Sequence, residues 1–153
     1  MICRQGNEFY KIGWGSMQGW RASMEGLVFI RSKFTFNSDH HVVALELENH
    51  PGCAIFGIFD GHGGKDVATH IGENITQRIS KLPDLFDEKG NQEFVLLFTP
   101  LALTKICIKL DQEYLDEVGP NAARNQGSTG IVSIAKKLEN GNYKILNMNI
   151  GDS

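Results

Sequence analysis

The string Phe59-Asp60-Gly61-His62-Gly63-Gly64 holds the residues of this chain best suited to chemistry. Asp60 follows an apolar run, so a strand would give its carboxylate a rigid base and a turn would give it a solvent-facing tip. Gly61 leaves its carbonyl unobstructed, and Gly63 with Gly64 lets a ligand approach the backbone closely. A carboxylate beside a bare carbonyl is an oxygen donor set, which suits a hard cation such as Mg²⁺ or Mn²⁺. An imidazole titrates near neutrality, which suits a histidine at position 62 to handing over a proton. Asp-Gly is also a common turn and Gly-Gly a common helix entry, so the residues alone leave a plain loop open. Zinc fits less well, because no Cys or His pair has the spacing of a tetrahedral site.

The elements that must hold this string are legible on both sides of it. Val42 to Glu48 reads as a strand, with Leu45 and Leu47 alternating against Glu46 and Glu48. Asn49-His50-Pro51-Gly52 is a turn. Cys53 to Phe59 is a continuous apolar run of strand length, predicted to be buried on both faces. After the glycines, Val67, Ile71, Ile75 and Ile79 recur every four residues and predict one helix face, with Pro83 ending the element. Leu97 to Val118 carries Leu103, Ile106, Cys107, Leu110, Tyr114 and Leu115 at helical spacing, closed by Gly119-Pro120. Two apolar strands follow, joined at Glu139-Asn140-Gly141-Asn142, where Asn-Gly signals a hairpin. The last strand runs into Gly151-Asp152-Ser153. Strand, strand, helix, helix, strand, strand predicts an α+β arrangement, with helices on one side of a mainly antiparallel sheet.

Composition sets the outer limits. A hydrophobic share of 41% and a charged share of 22% belong to a globular chain. The net charge of −3 gives no general attraction to nucleic acid or to an anionic membrane. No signal-peptide pattern or membrane-length apolar run is present. Cys3, Cys53 and Cys107 are odd in number and far apart, which argues against a disulfide framework and for a cytoplasmic or nuclear setting.

Four stretches in order carry a family resemblance. Asp60 to Gly64 resembles the Asp-Gly-His-Gly-Gly signature of the metal-dependent type-2C protein serine/threonine phosphatases. Gly13 to Glu25 resembles their Gly-Trp-Arg-x-x-Met-Glu-Asp motif, Gln126 to Ile134 their Gly-Ser-Thr strand, and Asn149 to Ser153 their Val-Gly-Asp-Ser-Arg motif. The chain is similar to the N-terminal half of such a domain. The resemblance implies part of a four-layer α-β-β-α sandwich, with the C-terminal half of the fold missing from residues 1–153. It implies hydrolysis of phosphoserine and phosphothreonine in proteins, by a water held between two Mg²⁺ or Mn²⁺ ions. Asp60 would be the bridging carboxylate and Gly61 a carbonyl ligand. Glu25 and Asp39 would hold metal-bound waters, and Asp152 would help with a further, weaker cation. Arg21 would grip phosphate oxygens through its planar fork, and His62 would protonate the departing alkoxide. The partners implied are phosphoprotein substrates acted on by a monomer.

The family motif places an Asp directly after Met-Glu, whereas here Gly26 follows Glu25. Removing Gly26 to Ser38 joins Glu25 to Asp39 and restores the motif. Residues 26–38 therefore read as an insertion or a retained-intron segment. Leu27 to Ile30 and Phe34 to Phe36 are poor compositions for an exposed loop, and the two strings are predicted to pair as a hairpin turning at Arg31-Ser32-Lys33. The remaining aspartates of the family site would lie in the missing half, so this chain alone is expected to be inactive. A catalytically dead module that binds phosphoproteins is the alternative, and an unrelated cation-binding module a third.

Overall fold

The computed structural model describes residues 2–15, 20, 29–30, 41–83, 85–86 and 92–152. At its centre is a five-stranded sheet in the order β3 (Phe29–Ile30), β4 (His41–Ala44), β5 (Cys53–Ile58), β8 (Gly130–Lys137), β9 (Tyr143–Ile150). All its pairings are antiparallel except β3 with β4. Helices α1 (Asp66–Ser80), α2 (Gln92–Val118) and the short α3 (Pro120–Ala123) lie between β5 and β8 in the chain. A hairpin of β1 (Ile2–Gly6) and β2 (Lys11–Gly15) precedes the sheet, and a two-residue ladder, β6 (Gly61–His62) with β7 (Gly127–Ser128), sits beyond its end. The architecture is α+β with mainly antiparallel sheets, as the order of elements predicts.

Strand alternation assigns each residue to a face. Ala44, Ile55, Ile134 and Leu146 form one row across the sheet, and Val42, Gly57, Val132 and Met148 the next. These rows meet Ala68, Ile75 and Ile79 of α1 and Leu103 and Leu110 of α2 in one core. The four-residue spacing in α1 thus reports a real buried face, with Ile75 and Ile79 fully enclosed. The helices are tied to each other by Arg78, whose guanidinium donates to both carboxylate oxygens of Glu113 at 2.7 and 2.8 Å.

Several elements depart from expectation. The Val42 strand stops at Ala44; Leu45 and Leu47 remain buried, but a turn has begun there, and the Leu47 amide donates to the Cys53 carbonyl at 2.9 Å. The Cys53 run is enclosed from Cys53 to Ile55, yet Ile58 is 56% exposed, because the helices cover only one side. Helix α2 begins at Gln92, five residues before the apolar periodicity starts. The β1–β2 hairpin was not anticipated. Its turn is set by Asn7, whose Oδ1 accepts from the amides of Phe9 and Tyr10. Phe29 and Ile30 extend the sheet as a parallel edge beside Val42 and Val43, and the rest of the expected hairpin, from Arg31 to Phe36, falls on residues that are not described.

Candidate metal and phosphate site

Chemistry in this chain depends on what happens just past β5. Phe59, 1% exposed, anchors the strand in the core, and the next residue, Asp60, emerges into solvent. The Asp60 carbonyl accepts from the Thr129 amide at 2.9 Å and from the Ser128 hydroxyl at 3.3 Å. Gly61 and His62 then pair with Ser128 and Gly127. The backbone of the acidic loop is therefore held in place, while the exposed carboxylate makes no side-chain hydrogen bond or ion pair among the described residues.

Two glycines, Gly63 in this loop and Gly127 in β7 beside it, do work that other residues could not. Gly63 has φ 70°, and a Cβ there would fall 1.7 Å from the Asn125 carbonyl oxygen. Only a residue without a side chain lets the loop close against Asn125 and Gln126. At Gly127 a Cβ would stand 2.4 Å from Nε2 of His62, so the imidazole lies directly on the Gly127 backbone. Behind these contacts Tyr114 of α2 donates its hydroxyl to Oε1 of Gln126 at 2.9 Å. The second helix thus reaches the acid-glycine loop through one side chain.

The far end of β9 arrives at the same place. Gly151 packs against Thr129, where an added Cβ would meet Cγ2 at 3.2 Å. Thr129 also bonds the Asp60 backbone, so the loops carrying Asp60 and Asp152 converge on one residue. Both acids are exposed. Gly127, Ser128 and Thr129 are the residues that sequence reasoning left without a role. Their signal was the Gly-Ser-Thr string itself, whose small side chains are what a tight contact with two loops demands.

The structure holds Asp60, Gly61 and His62 in one loop, and Gly151, the residue before Asp152, packs against the Thr129 that bonds the Asp60 backbone. Arg21, Glu25 and Asp39 lie outside the described residues. No group of three or more His, Cys, Asp or Glu side chains is placed for a metal among the described residues. The donors that are placed, a solvent-facing carboxylate on a fixed backbone next to a glycine carbonyl, are oxygens of the kind a hard divalent cation takes.

A protein-family model, Protein phosphatase 2C, matches residues 10–153. The chain belongs to the protein phosphatase 2C family. Among curated proteins, this phosphatase 2C chain is 30% identical over 131 residues to Probable protein phosphatase 2C T23F11.1 of Caenorhabditis elegans, covering 86% of this chain and 30% of that protein. It is 34% identical over 145 residues to Protein phosphatase 2C homolog 2 of Aspergillus flavus, covering 92% and 29%. The chain thus spans about a third or less of the curated relatives it matches. A crystal structure of a phosphatase from Toxoplasma gondii aligns with TM-score 0.45 and 24% identity, over 66% of this chain and 26% of that one. The family is metal-dependent in general, in keeping with the oxygen donors at Asp60 and Gly61.

Proposed function

We propose that the whole protein to which this chain belongs hydrolyses phosphoserine and phosphothreonine monoesters in proteins, with this chain supplying one wall of the active site. The observation that supports it most is the convergence of the Asp60 and Asp152 loops on Thr129. Such esters hydrolyse extremely slowly on their own, so a large share of the barrier must be met by charge stabilisation and positioning. Bound Mg²⁺ or Mn²⁺ would supply a water of lowered pKa as nucleophile and offset the charge of the phosphoryl group.

This chain's own residues would do the rest. Asp60 and the Gly61 carbonyl would hold the cations, with Glu25, Asp39 and Asp152 contributing from neighbouring segments. Arg21 would bind two phosphate oxygens at once, a geometry an ammonium does not offer. His62, held against Gly127, would give its proton to the seryl or threonyl oxygen as the phosphorus–oxygen bond breaks. The substrates would be phosphoproteins met in the cytoplasm or nucleus by a monomer. A phosphoprotein-binding module without turnover is the second reading.

Phosphate release from a phosphothreonine peptide with Mn²⁺ separates the two. The whole protein should turn over, and the 153-residue chain alone should show little activity. Asp60→Asn should abolish release and Mn²⁺ binding together. His62→Gln should lower turnover while calorimetric Mn²⁺ affinity stays unchanged. Equal loss of Mn²⁺ binding in both variants would remove the separate roles, and peptide binding without release would favour the non-catalytic module.

A further inference from the structure

His62 also forms part of the wall of a second space. A cavity of about 370 Å³ lies between the start of α1, the middle of α2, the β6–β7 ladder and the end of β9. Its volume is that of a small-molecule pocket. Val67, Ile71, Leu110 and Ile150 give it an apolar floor, and Cys107 and Ile108 line it from α2. Its polar groups come from His62, Ser128 and Asp111. Asp111 is exposed and forms no ion pair or side-chain hydrogen bond among the described residues. Among the described residues it is the one carboxylate in the lining, and no Lys or Arg lines the space.

We propose that this cavity binds a small amphiphilic amine, with its apolar body between Val67, Ile71 and Leu110 and its ammonium end at Asp111. The apolar body gains by leaving water for an aliphatic wall. The exposed carboxylate at the opening adds little affinity, since it stays hydrated, but it selects the sign of the ligand's charge. Cys107 serves as wall. Loss of hydration pushes its thiol pKa up, and its Sγ lies 3.7 Å from Sδ of Met148. An occupant would touch the imidazole of His62, so the cavity is coupled by contact to the acid-glycine loop. The proposal does not rest on phosphatase activity, and its test does not use it.

Hexylamine and hexanoate are matched probes of opposite charge. Two signals are read on the 153-residue chain at fixed pH: the rate at which N-ethylmaleimide labels Cys107, resolved by mass spectrometry, and the NMR positions of the His62 ring protons. Hexylamine at about ten times its dissociation constant should slow Cys107 labelling about tenfold and move the His62 signals. Hexanoate should protect measurably less, by a few-fold. Asp111→Asn should bring the two probes to similar protection, and Ile108→Trp, which narrows the opening from an exposed position, should weaken protection by both. The proposal is overturned if hexylamine changes neither signal. It is equally overturned if hexanoate protects the native chain as well as hexylamine does, or if hexylamine keeps its advantage in Asp111→Asn.

Discussion

Ile134 and Ile131 stand on the same strand, three residues apart, and live in different surroundings. Ile134 is 1% exposed beneath the helices, whereas Ile131 is 42% exposed on the opposite face. The contrast extends across the sheet. On the helix side Val42, Ile55 and Val132 are all enclosed. On the other side Ile58, Ile131 and Ile145 are open among the described residues, and one corner is closed, where Tyr10 from the β1–β2 turn packs its ring on Phe56 and Tyr143. Residue type does not distinguish the two faces; what lies over them does. The site sits where β5 and β9 leave the sheet, and it is anchored from the enclosed side by Phe59 and, through Gln126, by Tyr114.

The sharpest way to break this comparison is to remove a side chain from the enclosed face. Ile134→Ala should destabilise the chain by about 3 kcal/mol, because it leaves a cavity beneath packed helices. A urea unfolding curve measures this, and a loss no larger than that of a surface change would show that the helix side is not the core.

The closed corner on the open face should give an intermediate effect. The Tyr10 hydroxyl lies 2.8 Å from the Gly52 carbonyl and 2.9 Å from the Ala135 carbonyl. Tyr10→Phe keeps the ring contacts and removes these bonds, at a cost of about 1 kcal/mol in the same measurement.

Alkaline pH sharpens the comparison by acting on both sides at once. Loss of hydration raises the Tyr10 pKa on one side of the sheet and the Tyr114 pKa in the helix layer, the latter helped by Asp66 and Glu117. Each tyrosine is neutral while protonated, so a raised folded value means that the unfolded chain ionises first. Stability is therefore complete below the ordinary value of 10.0 and falls as pH rises through it towards the folded values. Tyr10→Phe with Tyr114→Phe should flatten that decline in unfolding curves taken from about pH 8 to about pH 11.

The smallest effect belongs to the open face itself. Ile131→Ser should change stability by no more than about 0.5 kcal/mol, since the side chain is already partly in water. A loss as large as that of Ile134→Ala would mean that Ile131 is covered in solution.

Much of this arrangement was legible because it follows from local periodicity. The four-residue spacing of Val67 to Ile79 required a helix with one buried face, and Asn140-Gly141 fixed the β8–β9 turn, where Gly141 has φ 83°. The string from Asp60 to Gly64 carried the family resemblance, and the family model that matches residues 10–153 bears that resemblance out. Less legible was the end of the Val42 strand. Alternation continues through Leu47, but the ladder stops at Ala44, since burial and strand pairing impose the same pattern on a sequence.

By itself, the sequence determined the four central strands, the two long helices and their order, because those depend on side-chain type and near-neighbour spacing. Only the tertiary structure decided that Thr129 would join the Asp60 and Asp152 loops, that His62 would rest on Gly127, and that one apolar face would be enclosed while its twin stayed open. Those outcomes depend on contacts between segments distant in the chain, such as Asp60 with Thr129 and His62 with Gly127, whose pairing is set by how helices and strands pack together and is not written in any single stretch of chain.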